Sequence, residues 1–406
     1  MRIIIKPGGP KSQSVRGVEL SLPASKVEML DALDQAKIPY GSSEYLLEAH
    51  RDSPGYVKKM LGGLLGSVVY NPSLAEMNHL AERIEQLSEH MQHTMDGVIQ
   101  IRGSYSIGDI IDATHNLHLY SFYPGVSTDY ELGEAAIDSD GGLYPPIIQV
   151  PVELLECLDP EKVGAIVRRE DQGAFTKMGY VVPDDVDWEP VYDGKSLSAR
   201  AMTLRPDEPI ISLRLRPYDS PDESTCEFRL DLPAYQSNID DVLKQHDIND
   251  LSSYIIHGAT SVIPALDYAI SPGEDIEKVN ELAFAIRVWC IGGFAKYKAA
   301  YEMEQVSDIE SAIDLAKRLS EYDFEQHPST EAFGRAAMAK TGADITTMAE
   351  YGFDFEAYGS KVMDEKNICF THYGFVSHLR GQQKSIEQTQ KSEPEPEQSL
   401  EPTMNM

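Results

Sequence analysis

The sequence is short of positive charge. Its 406 residues hold 35 Lys and Arg against 66 Asp and Glu, a formal net charge of −31. Between Lys59 and Lys162 the only Lys or Arg residues are Arg83 and Arg102, while the same stretch carries 16 acids. A protein that grips nucleic acid gathers Lys and Arg on one face to neutralise phosphates. The short groups "YVKKM" at 56–60 and "IVRRE" at 166–170 are flanked by acids and form no such face. Direct nucleic-acid binding is therefore not expected.

Long apolar runs are also missing. No stretch of 18 apolar residues exists, so no membrane-spanning helix is expected. The opening "MRIIIKPGG" reads as a short strand and not as a secretory leader, because no apolar stretch of seven or more follows its basic residue. The four cysteines, Cys157, Cys226, Cys290 and Cys369, lack metal or redox spacing and fit a reducing, cytoplasmic setting.

Catalytic signatures are equally scarce. There is no G-x-x-x-x-G-K-[ST] and no G-x-S-x-G; "KPGGPK" and "GGLLG" read as turns. His90 with His93, and His115 with His118, have i,i+3 spacing, but two histidines alone rarely hold a metal. No pair of carboxylates stands out in an apolar setting that would raise a pKa. The expectation is a protein that is not an enzyme, with no catalytic residue, no cofactor and no metal site.

What the chain does have is acid, spread evenly. Residues 1–190 contain 29 acids and 15 bases, and residues 191–380 contain 32 acids and 18 bases, so each part is net −14. Like charges at this density cost folding stability through self-repulsion and attract basic surfaces at long range. Solubility alone is served by a smaller charge with both signs interspersed. In "NPSLAEMNHLAERIEQLSEHM" at 71–91, Leu74, Met77, Leu80, Ala81, Ile84 and Leu87 recur at helical spacing. Glu76, Glu82, Glu85 and Glu89 lie among them, with Arg83 the only Lys or Arg.

Four short stretches recur in order, about two hundred residues apart. "ELSLPA" at 19–24 matches "RLDLPA" at 229–234, and "MNHLAERI" at 77–84 matches "VNELAFAI" at 279–286. "SIGDIIDATHNLHLYSFYPGVSTDYELG" at 106–133 matches "SDIESAIDLAKRLSEYDFEQHPSTEAFG" at 307–334, and "GAFTKMGYVV" at 173–182 matches "ICFTHYGFVS" at 368–377. The pattern reads as an internal duplication: a module over 1–182, a junction over 183–204, a second module over 205–380, and a polar, Pro- and Glu-rich disordered tail over 381–406. Each module is expected to open with a strand and pass through the Asn-containing helix at 74–90 or 275–288. A further helix and a Tyr-x-Phe turn follow, then a helix beginning near Asp129 or Thr330, and a hairpin around a Gly closes the module. Runs at 211–217 and 226–232 are expected to pair as a hairpin. The fold class is α+β, helix-dominated small modules with short antiparallel strands, in an elongated acidic body.

The second module resembles the ArdA antirestriction proteins of conjugative elements. The resemblance rests on "DIEKVNELAFAI", "TEAFGRAAMAKTGADI", "EYGFDFEAYGSKVMDE" and "ICFTHYGFV", with Asp354, Phe355, Ala357, Tyr358 and Gly359 on the family's D-[FY]-x-A-Y-G pattern. The first module is similar through "PSLAEMNHLAERIEQL", with Asn78 in the place of Asn280, but carries the insertion "DGGLYPPIIQVPVELLECLDPEKVG" where the second has "DITTMAEYGFDFEAYG", and lacks the D-[FY]-x-A-Y-G form. The chain also departs from the family in its doubled length and its tail. The resemblance implies a DNA mimic that occupies the DNA-binding channel of type I restriction–modification enzymes, in which two fused modules replace a dimer or the chain itself dimerises. The alternative is an acidic, non-catalytic adaptor of a mobile element that binds another basic or DNA-handling protein.

Acids every three to four residues along a helix fall about 4.5–6 Å apart. That is sparser than the roughly one charge per 1.7 Å of duplex DNA, so several helices would have to act together. The candidate mimic surface is Glu76, Glu82, Glu85, Glu89, Asp109, Asp112, Asp129, Glu131 and Glu134, with Asp308, Glu310, Asp314, Glu321, Asp323 and Glu325 on comparable ground in the second module. Tyr120, Phe122, Tyr322 and Phe324 are expected to be packing residues.

Overall fold

A computed structural model describes residues 1–8, 15–62, 72–103, 105–138, 152–184, 187–194, 203–218 and 227–379. The tail expected over 381–406 lies outside them. The chain forms two compact units, one of Met1–Ala32 with Gly41–Thr203 and the other of Leu33–Tyr40 with Leu204 onward.

The first unit opens with β1 (Arg2–Pro7), β2 (Val18–Ser21), α1 (Lys26–Gln35, whose last turn belongs to the second unit) and β3 (Tyr45–Ala49). β1 is the middle strand of an antiparallel sheet ordered β2-β1-β3. Ile3 and Ile5 are fully buried on one face and alternate with more exposed neighbours, the period-two pattern of a half-covered strand. Helices α2 (Gly55–Leu61), α3 (Leu74–Glu85), α4 (Glu89–Arg102) and α5 (Ile107–Asn116) follow, and Leu74, Met77, Leu80, Met95, Val98, Ile107 and Ile110 are buried in them. The unit ends with β4 (Tyr120–Pro124), α6 (Asp129–Ile137), α7 (Pro160–Asp171), β5 (Ala174–Phe175) and β6 (Gly179–Pro183), with the sheet ordered β4-β6-β5.

The second unit follows a similar order, with one further α-helix among the described residues. β7 (Ile211–Pro217), β8 (Phe228–Leu232), α8 (Gln236–Gln245) and β9 (Tyr254–Ser261) form a sheet ordered β8-β7-β9. α9 (Pro264–Ala269), α10 (Ile276–Arg287), α11 (Ala295–Glu304) and α12 (Ile309–Arg318) come next. Then follow β10 (Tyr322–Glu325), α13 (Thr330–Ala339), α14 (Ile345–Glu350), α15 (Phe355–Lys366), β11 (Cys369–Phe370) and β12 (Phe375–His378), with the sheet ordered β10-β12-β11. The fold is mixed α+β. In both units the first helix follows a cis peptide, Leu22–Pro23 in one and Leu232–Pro233 in the other.

Two expectations are corrected. The helix expected through 74–90 is two helices: α3 stops at Glu85, and the Ser88 hydroxyl accepts the Met91 N–H to start α4. A side chain that caps a new N-terminus competes with continuation of the old helix. The Tyr-x-Phe stretches are strands and not turns, because each finds a partner in the closing hairpin: Phe122 pairs with Val181 and Phe324 with Val376.

The end of the insertion and the segment set opposite it in the second module pack alike among the described residues. α7 packs on α6 as α15 packs on α13, each across a pair of glycines. A Cβ on Gly164 would stand 1.7 Å from the Asp129 carbonyl oxygen, and one on Gly359 would stand 2.5 Å from the Thr330 carbonyl oxygen. Gly133 and Gly334 face them in the same way, with Pro160 and Phe355 oxygens at 1.8 and 1.9 Å. "DPEKVG" therefore stands where the other unit has "DFEAYG".

Candidate partner-binding surface

The structure sorts the candidate carboxylates by what each one touches. Asp112 does not face a partner. It is 7% exposed, and its Oδ1 accepts the backbone N–H groups of Val191 at 2.8 Å and Tyr192 at 2.7 Å. Asn116 makes two further hydrogen bonds to Glu189, so the stretch 187–194 lies along α5. Part of the expected junction is thus built into the first unit, and Asp112 is a mooring point that reading for charge misplaced on the surface.

Several acids cap helices. Glu76 closes a capping box with Ser73, accepting its N–H at 2.7 Å and its hydroxyl at 2.8 Å, and also accepts the Tyr192 hydroxyl. Asp109 accepts the Ser106 hydroxyl at the start of α5. Glu131 accepts the Ser127 N–H at 2.7 Å, and Asp308 accepts the Ser311 N–H at 2.8 Å. Those backbone bonds come first among the causes that hold both carboxyls below their ordinary pKa.

A third group is matched by a cation. Arg168 binds Asp129 through two nitrogens at 2.7 and 3.0 Å, and Arg318 reaches Asp314 at 2.6 Å. Lys278 pairs with Glu310, Lys340 with Glu325 at 2.5 Å, and His378 stands 3.4 Å from Glu321. Burial acts to raise the Glu325 pKa, but hydrogen bonds from Lys340 and His327 outweigh it and hold the group low. A Lys or Arg thus offsets the charge of Asp129, Asp314, Glu310 and Glu325 locally, whereas Glu321 has an imidazole beside it.

The remainder are open to solvent. Glu82, Glu85, Glu89, Glu134 and Asp323 are exposed, and no Lys or Arg lies within ion-pair distance of any of them among the described residues. Glu82 accepts the Asn78 amide at 2.9 Å and has His79 at 3.8 Å; Glu89 has His93 at 3.8 Å. Glu131 and Asp308 join this set, since their capping partners are neutral. The uncancelled acids therefore concentrate on α3, α4 and α6.

Of the residues singled out for packing, Tyr322 is buried, whereas Tyr120, Phe122 and Phe324 are half-exposed. Tyr322 is 1% exposed with its hydroxyl on Glu304, and Phe122 lies edge-on to His90. His115 sits in the last turn of α5, where burial first, and then Arg83 and His79, hold its pKa below the ordinary value. Sequence reasoning missed Lys298, whose ammonium is buried against Asp34 at 2.8 Å. A lysine among apolar residues in "GGFAKYKAAY" gives no sign of its partner. No group of three or more His, Cys, Asp or Glu that could hold a metal occurs among the described residues, and none of their helices is long and apolar enough to cross a membrane.

A comparison with models of known protein families finds no match, and none is found among curated proteins.

Proposed function

We propose that the chain is a duplicated, double-length relative of the ArdA antirestriction proteins, and that it acts as an acidic decoy for the DNA-binding channel of a type I restriction–modification enzyme. One observation carries this reading: a net charge of −31 in which Glu82, Glu85, Glu89, Glu131 and Glu134 of one unit have no Lys or Arg within ion-pair distance among the described residues, while nearby Arg83 is turned to Thr114 and Gln86 and Arg102 to Trp188. A phosphate mimic needs charge that is ionised and fixed in place. Capping supplies both for Glu131 and Asp308, because the backbone N–H groups that hold the carboxylates also keep them deprotonated. The similar element order of the two units supports a duplicated module, and the Asn78 and Asn280 correspondence supports the alignment on which the family resemblance rests.

The test is competition between the purified chain and labelled duplex DNA for a type I restriction–modification enzyme, at low and at physiological salt. Displacement that weakens as salt rises, with no binding of the chain to DNA itself, is the expected result. Failure to displace at either salt overturns the restriction target and favours the acidic adaptor reading, in which another DNA-handling protein is the partner.

A further inference from the structure

The ends of α1 and α8 are the same local structure with opposite charge. After α1, Lys37 adopts φ +57°, its N–H meets the Asp34 carbonyl at 3.0 Å, and the Ile38 N–H meets the Leu33 carbonyl at 3.0 Å. After α8, Asp247 adopts φ +58°, its N–H meets the Lys244 carbonyl at 3.2 Å, and the Ile248 N–H meets the Leu243 carbonyl at 2.8 Å. Both are left-handed helix ends followed by an apolar residue. Asp34 corresponds to Lys244, and Lys37 to Asp247.

Their surroundings differ. The α1 end is covered: Asp34 is 6% exposed and Ile38 1%. The α8 end is bare, with the Lys244 side chain 76% exposed and only Ile239 of the helix buried.

The cover over the α1 end is a cradle on α11 in the second unit. Lys298 donates to Asp34, and the Lys37 ammonium lies 5.3 Å from the Phe370 ring centre. Lys298 stands seven residues before Gln305, the left-handed cap of α11. Seven residues before Gly103, the left-handed cap of α4, stands Asp96. The cradle charge is thus reversed along with the charge of the helix end. Asp96 lines a cleft of about 230 Å³ with Tyr56, Lys59, Ile99, Thr176 and Lys177. It makes no hydrogen bond or ion pair among the described residues; the cleft partly desolvates it, and His93, Lys177 and Lys59 act on it only from beyond ion-pair distance, which leaves room for a cation in direct contact.

We propose that the α8 end of one chain docks into the Asp96 cleft of a second copy, placing Lys244 against Asp96 and Asp247 beside Lys177. The contact repeats the Asp34–Lys298 arrangement with both signs exchanged. It joins two different surfaces, so it is heterologous and builds head-to-tail chains or a closed ring. The inference does not depend on the restriction target.

Sedimentation velocity of the full chain, from low to high micromolar concentration, reads the assembly directly. The wild type is expected to gain mass with concentration, and Asp96→Lys or Lys244→Asp to weaken association about tenfold or more. An equimolar mixture of the two variants, and the double variant, restore it, because each mixed contact again pairs opposite charges. Restoration separates docking from a folding defect. A wild type whose mass is independent of concentration overturns the proposal, as do single variants that associate like wild type or a mixture that fails to recover.

Discussion

Asn280 holds Ala234 by both ends of its amide: Oδ1 accepts the Ala234 N–H at 2.9 Å, and Nδ2 donates to the Ala234 carbonyl at 2.8 Å. The residue anchors the turn after the cis proline to α10, and Asn78 makes the first of the same bonds to Ala24 at 2.7 Å. Asn280→Ala leaves a backbone donor and acceptor without their partner, which costs about 1–3 kcal/mol. Urea denaturation should show a lower midpoint with an unchanged slope. An unaltered midpoint would mean that water replaces the amide without loss.

The asparagine was visible in the sequence as a repeated letter, but its work was not, because the partner lies in a turn far along the chain. Local features were easier to read. The alternation of Ile211, Leu213 and Leu215 marked β7, and the glycines of "FTKMGYV" and "FTHYGFV" marked the closing hairpins. The Tyr120 and Phe122 strand escaped because the residues opposite it in the sheet, Pro183 and Val181, lie far along the chain, so a local reading saw only a short aromatic stretch before Pro124 and Gly125. The packing of α7 on α6 was not legible although its segment was set opposite that of α15, because the crossing depends on a facing glycine pair, Gly133 with Gly164, whereas the surrounding letters differ. Among the acids, composition fixed the total charge but could not separate those consumed by caps and ion pairs from those left free. That division needs the positions of Arg168, Arg318 and the strap at Val191 and Tyr192.

The glycine crossings give a sharp stability prediction. Gly164→Ala drives a methyl into the Asp129 carbonyl and forces α6 and α7 apart, at a cost of more than about 3 kcal/mol. Gly55→Ala, where nothing lies within 4 Å, should stay within about 0.5 kcal/mol of wild type. Thermal melts of the two variants decide it. Equal melting temperatures would show that the helices separate without strain.

The capping aspartates predict a slope in acid. The Ser311 N–H and hydroxyl lower the Asp308 pKa, and the Thr347 hydroxyl with the Thr347 and Thr346 N–H groups lower that of Asp344. A carboxyl whose pKa is depressed on folding contributes stability above its unfolded pKa and loses it as pH falls through the folded one. Asp308→Asn with Asp344→Asn keeps a capping oxygen that cannot titrate. Its melting temperature should therefore fall less between about pH 5 and pH 2 than that of wild type. The half-buried Asp171 and Asp267, whose pKa values partial burial raises, act in the opposite sense but are common to both proteins. Parallel curves would remove the caps from the account of acid stability.

The last prediction separates total charge from placed charge. Glu82→Gln, Glu85→Gln and Glu89→Gln together remove three solvent-facing charges that no Lys or Arg cancels. If these acids stand in for phosphates, the triple variant displaces duplex DNA from the restriction enzyme about tenfold less well or worse, with a shallower salt dependence and an unchanged melting temperature. Asp112→Ala removes one charge from a buried position and strips the Val191 and Tyr192 N–H groups of their acceptor. It should cost about 2–4 kcal/mol of stability and leave displacement by the folded fraction near wild type. Neutralising Glu310, Asp314 and Glu325 to amides makes the comparison complete, since each is matched by Lys278, Arg318 or Lys340. It changes net charge by the same three units as the first variant. If net charge alone governs competition, the two triple variants weaken it equally; if the uncancelled acids of α3 and α4 are the recognised surface, the first falls well below the second.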